Sequence, residues 1–348
     1  MPARSATCQV WGVLNVTDDS FSDGGKFVEV EAAVARAREL VAAGASVIDV
    51  GGESTRPGSA RVPEAVELAR VIPVIERLAA EGIAVSIDTT RAAVARQAVA
   101  AGASYINDVS GGTADPHMYR AVVELAVDFI IMHSRGTSDV MDDLAQYDNV
   151  VDEVCAELRQ RADSAQAAGV LAEHIVLDPG FGFAKNAEHN WQLLAGLEQL
   201  TALGYPLLVG VSRKRFLAAA APVGATPSGR DDATAAVTSH CAQAGVWAVR
   251  VHEVAASVAA VKVANLIGVE PTGDHIDILG ITAVGNHGVF EEERINGQRF
   301  SIDLRLWLPL TSAADTDDVS RTVNYADVAQ AAHDLIVGEP HALIETLA

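Results

Sequence analysis

The stretch AVSIDTTRAAVARQAVAAGASYINDVS, residues 84–110, contains the unit that decides the fold. It begins with a short apolar run that ends at Asp88, continues through an alanine-rich segment up to Gly102, and closes with a second apolar run that ends at Asn107. Glycine is common just past the C-terminus of a helix. This order of elements predicts two parallel strands joined by a crossover helix.

The same alternation continues along most of the chain. Eight apolar runs recur, at 8–15, 46–50, 84–88, 104–108, 128–134, 174–179, 206–212 and 247–253, with helical patterns between them. Eight such units in the first 268 residues predict a (β/α)8 TIM barrel of the α/β class. An open doubly wound sheet usually has a GxGxxG loop after its first strand, whereas here VTDDSFSDGGKF follows the first run.

The pattern changes after Gly268. Residues 269–273 are predicted to form a linker, and the stretches 274–289 and 298–310 alternate apolar and polar residues with period two. A β-hairpin is therefore predicted, followed by a helix over 325–338. The expected domains are a barrel over 1–268 and a small α+β module over 274–348.

Composition excludes several classes of partner. With 25 Lys and Arg against 46 Asp and Glu, the net charge of −21 opposes binding to nucleic acid and to anionic lipid. No apolar run approaches the ~18 to 20 residues of a membrane span, so no membrane association is expected and the cytoplasm is the expected location. The three cysteines are far apart and are expected to be reduced.

Polar residues stand where the apolar runs end, and in this barrel fold the loops after the strands build the active site. Three of them, Asp88, Asn107 and Asp178, are expected to face inward. Burying them without partners would cost about 1 to 3 kcal/mol each. A planar heterocycle with an amino-pyrimidinone edge would satisfy them, and Lys214 can add a hydrogen bond to the same ring.

A second group of run ends favours an anion. Arg250 and His252 alternate along the last strand and so point the same way, and the loop after strand eight is a common phosphate site in barrels. With Asn15 across the mouth, a phosphate or pyrophosphate fits best. Other interpretations stay open: Asp49 and Asp108 could be helix N-caps, Arg250 could form a surface ion pair, and His252 could be a core histidine.

Seven motifs at these run ends resemble dihydropteroate synthase, over almost all of the first 268 residues. They are LNVTDDSFSDGG, DVGGESTRPGS, SIDTTR, INDVSGG, DPGFGFAK, VGVSRKRF and RVHEV. That family joins p-aminobenzoate to 6-hydroxymethyl-7,8-dihydropterin diphosphate and releases pyrophosphate. The resemblance therefore implies small-molecule substrates and a homodimer or larger homo-oligomer.

The resemblance also implies residue roles. The pterin would be held by Asp88, Asn107, Asp178 and Lys214. The diphosphate would be held by Asn15, Arg250 and His252, with a Mg²⁺ cofactor on Asn15. The p-aminobenzoate would be held by Thr55, Arg56, Pro57, Phe183 and Lys214. One departure from the family is Arg215, where members often have serine; this leaves the contacts to the substrate carboxylate open, and arginine can itself bind a carboxylate.

From Asp274 onward the chain resembles the first part of dihydroneopterin aldolase, on the motifs GNHGVFEEER, GQRFSIDL, TVNYADV and ALIETLA. The resemblance implies that Glu293 and Tyr325 lie at that site and that Glu345 anchors a pterin. The catalytic lysine of that family lies further on, while the last lysine here is Lys262. The module is therefore expected to be incomplete and inactive as an aldolase.

Two alternatives remain at this point. A pterin-binding barrel of the methyltetrahydrofolate methyltransferase kind would share the Asp and Asn set but does not call for the SRK and RVH motifs together. A non-catalytic pterin-binding or scaffold protein would not require Asn15, Arg250 and His252 to converge.

Overall fold

The computed structural model describes residues 7–17, 25–53, 61–136, 140–141, 143–267 and 274–342, and describes only the backbone of 25–29. The chain divides into two compact units, Met1–Glu270 and Pro271–Ala348.

The first unit is built around eight parallel strands in the sheet order β6-β5-β4-β3-β2-β1-β8-β7. A bridge between Leu177 and Leu207 joins β6 to the segment before β7 and closes the sheet. The predicted eight-stranded barrel is confirmed. The strands are β1 (Gln9–Asn15), β2 (Val47–Gly51), β3 (Val85–Asp88), β4 (Tyr105–Asp108), β5 (Asp128–Met132), β6 (Ile175–Asp178), β7 (Leu208–Val209) and β8 (Ala248–Val251).

Helices alternate with these strands, as the apolar periodicity predicts. Gly102, just past α3, has φ +113°, and a Cβ there would lie 2.4 Å from Ala79 Cβ, so this turn requires glycine. The helices are α1 (Gly25–Ala42), α2 (Glu64–Ala80), α3 (Ala92–Ala100), α4 (Met118–Leu125), α5 (Val150–Ala167), α6 (Ala187–Ala195), α7 (Leu197–Thr201), α8 (Asp231–Gln243) and α9 (Val254–Leu266). Short 3₁₀ segments span Ala172–His174, Arg215–Ala220 and Ser228–Arg230.

A cluster of apolar side chains fills the barrel near the amino ends of the strands. We call the four members from even-numbered strands, Val47, Tyr105, Val176 and Ala248, the apolar layer. The fully buried Trp11 packs against it, with its ring centroid 4.8 Å from that of Tyr105 and 5.5 Å from that of Trp247. This end of the barrel is a packed core.

The second unit consists of a hairpin and helices. Strands β9 (His275–Gly285) and β10 (Gln298–Trp307) are antiparallel, and α12 (Tyr325–Val337) packs on β9 through Ala332 and Ile336, which are buried. The predicted order of hairpin and then helix is confirmed. Two short helices, α10 (Glu291–Asn296) and α11 (Thr311–Thr316), and a 3₁₀ segment (Val319–Arg321) lie between these elements.

The three cysteines are free thiols, and Cys8 and Cys241 are buried. Among the helices of the described residues, none combines the length and the apolar character that crossing a membrane requires.

Candidate active site

The carboxyl ends of the first four strands bring polar side chains to one side of the sheet. Asn15 is in register with Gly51, Gly51 with Asp88, and Asp88 with Asn107. Neighbours in register on parallel strands project from the same face. Asn15, Asp88 and Asn107 therefore face the barrel interior together, and the inward orientation predicted for Asp88 and Asn107 is observed.

Two residues beyond the apolar layer, toward the carboxyl ends of the same strands, the inward-facing residues are all polar or charged. On each even-numbered strand, moving two residues along replaces Val47 by Asp49, Tyr105 by Asn107, Val176 by Asp178 and Ala248 by Arg250. Side chains two apart on a strand share a face, and four alternate strands supply one layer of a barrel interior. We call Asp49, Asn107, Asp178 and Arg250 the polar layer.

Hydrogen bonds and ion pairs connect the polar layer. Arg250 Nη2 donates to Asp178 Oδ2 at 3.1 Å, and Arg250 Nε lies 3.6 Å from Asp49 Oδ2. The same Asp49 oxygen accepts from Asn107 Nδ2 at 3.2 Å. The other oxygen of Asp178 accepts from Gly180 N at 2.8 Å. Contrary to the expectation of an unpaired carboxylate, Asp178 is thus partnered within the protein.

Burial and crowding shift the protonation of these groups. Burial raises the pKa of Asp88 well above its ordinary value, and the neighbouring Asp49 carboxylate raises it further. Burial also raises the pKa of Asp49, although Arg250 opposes this. Burial disfavours the charge of Arg250, but Asp49 and Asp178 outweigh that effect and leave its pKa above the ordinary value. The guanidinium is a fixed cation among carboxyl groups whose charged form burial disfavours.

Four buried polar atoms at this mouth have no hydrogen-bond partner among the described residues. They are Asp49 Oδ1, Asp88 Oδ1, Asn107 Oδ1 and Arg250 Nη1. Buried polar groups in native proteins are almost always hydrogen-bonded, and an unmet one costs about 1 to 3 kcal/mol. Three oxygens and one N–H together offer a complementary surface for a ligand with several donors and at least one acceptor.

Lys214 borders the same space from the loop after β7. Its ammonium donates to Phe181 O and lies 4.3 Å from the centroid of the Phe183 ring. Burial lowers the pKa of Lys214 to about 7, although Asp178 opposes the shift. The structure therefore brings together Lys214 and Phe183, two residues that are far apart in sequence and were both predicted to contact p-aminobenzoate.

His252 lies just beyond β8 and is held by Ser212. Its backbone N–H donates to Ser212 Oγ at 3.0 Å, and its Nδ1 lies 3.0 Å from the same oxygen. When the serine hydroxyl donates to Nδ1, Nε2 carries the ring proton and can donate to an anion. Arg250, predicted to hold the diphosphate, instead contacts Asp178 and Asp49. The residues predicted for the pterin and those predicted for the diphosphate are therefore linked in one network.

The residues singled out from the sequence have different positions in the structure. Asp108 accepts from the backbone N–H groups of Ser110 and Gly112, so it stabilises its own turn and is not a helix N-cap. Asp49 is buried inside the barrel, so its interpretation as an N-cap is wrong. The sequence signal for its inward orientation was its position two residues before Gly51, since alternate residues of a strand share a face. Thr55, Arg56, Pro57 and Glu345, and the linker 269–273, lie outside the described residues.

Two of the residues predicted for the aldolase-like site, Glu293 and Tyr325, lie in the described part of the second unit. Glu293 Oε2 accepts from the backbone N–H of Phe290 at 3.1 Å, which caps the start of α10. Tyr325 opens α12 and its side chain is exposed.

Comparison with known proteins matches both units to families. The model of pterin-binding enzymes matches residues 11–252, and the model of dihydroneopterin aldolase (FolB) matches residues 276–348. The dihydropteroate synthase of Mycobacterium leprae is 52% identical over 263 residues, which cover 74% of this chain and 93% of that protein.

Solved structures agree with this match. A Xanthomonas albilineans dihydropteroate synthase with 4-aminobenzoic acid has a TM-score of 0.71 and 44% identity, and the match covers 76% of this chain and 94% of that one. The same enzyme in complex with 7,8-dihydropteroate has a TM-score of 0.69 and 41% identity, with 77% and 98% covered. The chain belongs to the dihydropteroate synthase family of pterin-binding enzymes, with a dihydroneopterin aldolase domain after the barrel.

Proposed function

We propose that this chain joins p-aminobenzoate to 6-hydroxymethyl-7,8-dihydropterin diphosphate, forming 7,8-dihydropteroate and releasing pyrophosphate. The observation that carries the proposal is the set of unpartnered buried atoms on Asp49, Asp88, Asn107 and Arg250. A pterin presents amine and ring N–H donors beside a carbonyl and ring nitrogens that accept. The three unpartnered oxygens of Asp49, Asp88 and Asn107 supply acceptors for its donors.

In this proposal the ring is held by Asp88, Asn107, Asp178 and Lys214, with Asp49 added to the set. Asp178 already accepts from Arg250 and Gly180 and keeps capacity for a further donor, because an ionised carboxylate has about four lone-pair sites. Lys214 supplies an N–H for a ring acceptor. The pocket therefore recognises the heterocycle by its pattern of donors and acceptors.

The diphosphate is assigned to Asn15, His252 and the outer side of Arg250. Arg250 Nη1 has no partner among the described residues and can donate to a phosphate oxygen. His252 can add an Nε2–H when Ser212 donates to its Nδ1.

The residues at the end of β1 fit a Mg²⁺ ion that is held mainly by the diphosphate. Mg²⁺ prefers oxygen and is usually bound through one or two protein groups plus substrate phosphates. Gly51 leaves space beside Asn15: a Cβ there would lie 3.7 Å from Asn15 Oδ1 and 3.6 Å from Asp88 Oδ2. We assign Asn15 Oδ1 as the protein ligand. When bound, the ion would neutralise charge on the departing diphosphate.

The reaction breaks the bond between the pterin methylene carbon and the diphosphate oxygen, and the electron pair leaves with the diphosphate. Asp88 and Asp178 stabilise the positive charge that spreads into the ring, while Arg250 and His252 stabilise the leaving anion. The arylamine nitrogen then attacks the methylene carbon through its lone pair, forming the C–N bond, and its proton passes to the released diphosphate or to water. The protein chiefly positions the amine, and no covalent enzyme intermediate is expected.

The p-aminobenzoate is assigned to the space beside Phe183 and Lys214, together with Thr55, Arg56 and Pro57. The 4.3 Å contact between the Lys214 ammonium and the Phe183 ring supports this assignment, because it sets a cation and an aromatic face side by side where an aromatic acid has to be held. A relative from Xanthomonas albilineans has been solved with 4-aminobenzoic acid.

The deciding experiment mixes the protein with the pterin diphosphate, p-aminobenzoate and Mg²⁺ and measures pyrophosphate. Release that requires both organic substrates is expected. Lys214→Ala should abolish it, and Lys262→Ala, on the exposed side of α9, should leave it unchanged. Folded wild-type protein that releases no pyrophosphate would overturn the proposal, and transfer of a methyl group instead would favour the methyltransferase alternative.

We do not extend the proposal to an aldolase reaction. Glu293 is engaged in capping its own helix and Tyr325 is exposed, so neither is arranged around a buried ligand in the described part of this unit. Incubation with dihydroneopterin should therefore yield no glycolaldehyde, and its release would show that the module is active.

We also propose a homodimer or larger homo-oligomer. The end of α9 supports it, since Val263, Leu266 and Ile267 expose apolar side chains there. Light scattering after size exclusion should give at least twice the 36.4 kDa chain mass, and a monomer would overturn this assignment.

A further inference from the structure

Two lysines donate to backbone carbonyls of the turn that follows β6. We call residues 180–183 the β6 turn. Lys214 donates to Phe181 O, while Lys185 donates to Gly180 O at 3.1 Å and to Phe183 O at 3.0 Å. Lysine is rarely buried unless it is partnered, yet Lys185 is only 7% exposed. The proposed function gives this buried lysine no role, so a separate reason for its burial is needed.

The β6 turn is also pressed against the end of β5. Gly180 has φ +67°, and a Cβ there would lie 1.8 Å from the carbonyl oxygen of His133, so only glycine fits. Asp178 Oδ1 accepts from Gly180 N, and Asn190 Oδ1 accepts from Gly182 N at 2.7 Å. The turn is thus held by side chains from β6, from α6 and from the loops after β6 and β7.

The third hydrogen bond of Lys185 goes to a buried histidine. Lys185 Nζ lies 2.8 Å from His133 Nδ1, and His133 Nε2 lies 3.0 Å from Glu157 Oε2. Arg135 binds Glu157 and keeps it ionised, and the pKa of Glu157 is lowered to about 2 by His133 and Arg135 against the effect of burial. A carboxylate only accepts, so His133 Nε2 carries the proton and Nδ1 is the bare acceptor that Lys185 requires.

Lys185 and Lys214 differ in their partners: the proposed function assigns ligand contacts to Lys214 but not to Lys185. In the proposed function, Lys214 donates to the pterin ring as well as to the β6 turn, so its hydrogen bonds are divided between the ligand and Phe181 O. Lys185 bonds only to the protein and keeps its three partners in both states. Of the pterin residues on strands, Asp88 and Asn107 have no hydrogen bond to this turn among the described residues, and Asp178 meets it only through the Gly180 N–H, not through the carbonyls that Lys185 holds.

We propose that Lys185 is a positioning residue for p-aminobenzoate. Supported by His133 and Glu157, it fixes the carbonyls of Gly180 and Phe183, and so keeps the Phe183 ring in place while Lys214 engages the pterin. This inference rests on the proposed function. It predicts that loss of the Lys185 amino group weakens use of p-aminobenzoate much more than binding of the pterin diphosphate.

The test measures two quantities in Lys185→Met: the KM for p-aminobenzoate, and the Kd for the pterin diphosphate by calorimetry without p-aminobenzoate. The KM should rise by about 10- to 100-fold, the range expected for losing two or three buried hydrogen bonds, while the Kd should change by less than about threefold. Lys262→Met is the matched control, because it removes an exposed lysine, and should leave both unchanged. Equal increases in KM and Kd, or an unchanged KM, would overturn the inference.

A second pair of variants keeps the inference falsifiable if Lys185→Met does not fold. In His133→Asn, an amide oxygen can replace Nδ1 as the acceptor for Lys185, so the KM for p-aminobenzoate should stay within about threefold of the wild-type value. In His133→Leu no acceptor remains, and the KM should rise by about tenfold or more. Identical KM values in the two variants would contradict the role of Lys185. Absence of pyrophosphate release by the wild type would instead refute the proposed function.

Discussion

Two successive layers inside the same barrel have opposite properties. In the apolar layer, Val47, Tyr105, Val176 and Ala248 pack against Trp11. Two residues further along the same four strands, the polar layer has one cation, two acids and an amide. The backbone geometry of the two layers is the same, so the side chains alone make one a packed core and the other a binding surface.

The difference teaches where this barrel is optimised for stability and where it is not. Side chains of the apolar layer lose water and gain close contacts, which stabilises the fold. The polar layer contains several buried atoms that lack partners among the described residues, and each is a cost in the absence of a ligand. Variants in the polar layer should therefore affect activity most, and variants in the apolar layer and at Trp11 should affect stability alone.

Arg250→Met should produce the largest effect. It leaves Asp49 and Asp178 buried without their cation, which typically costs about 3 to 5 kcal/mol of stability. Turnover should also fall by about 10²- to 10³-fold, since a preorganised charge near the leaving group is lost. Urea unfolding and pyrophosphate release measure the two effects. Arg120→Met, which removes a surface pair with Glu124, is the control and should cost less than about 1 kcal/mol.

Trp11→Ala should destabilise the fold without changing the site. The tryptophan is fully buried and its Nε1 donates to Gln9 Oε1 at 3.1 Å, so its removal should cost about 3 to 5 kcal/mol. The turnover per folded molecule should equal that of the wild type when measured well below the unfolding temperature. A large loss of turnover in the folded fraction would show that the two layers are not independent.

Asp88→Asn should stabilise the protein while abolishing turnover. The pKa of Asp88 is raised in the folded chain, so the folded state binds a proton more tightly than the unfolded state, and this stabilisation is lost as pH rises through the raised pKa. The variant should be more stable than the wild type at pH 8, and this advantage should shrink at pH 5. Urea unfolding of both proteins at the two pH values measures it. An advantage that grows toward pH 5 would contradict the assigned direction of the pKa shift.

Gly210→Ala should have the smallest effect. A Cβ at this position would lie 3.2 Å from Arg250 Nη2, so the guanidinium has to move by a few tenths of an ångström. The expected cost is about 1 kcal/mol in stability and about a 3- to 10-fold loss in kcat/KM. Unchanged kinetics would mean that the exact position of Arg250 is unimportant.

Much of the fold could be predicted from the sequence, because its causes are local. Alternating short apolar runs and alanine-rich helices imply parallel strands, and eight of them imply closure. The period-two pattern of 274–310 likewise predicted the hairpin of β9 and β10. The strand ends also placed Asn15, Asp88 and Asn107 at one mouth, since residues at the carboxyl ends of parallel strands meet there.

The partners of individual side chains depended on the tertiary structure. Asp49 could have capped a helix as well as faced the interior, and only the stagger of the closed barrel sets it against Asn107 and Arg250. Lys185 and His133 are 52 residues apart and meet because β5 and β6 are neighbours. Sequence by itself determined which residue types stand at the strand ends, through period and local pattern. Only the tertiary structure determined which of these groups form ion pairs or hydrogen bonds, because those contacts join strands that are far apart in the chain.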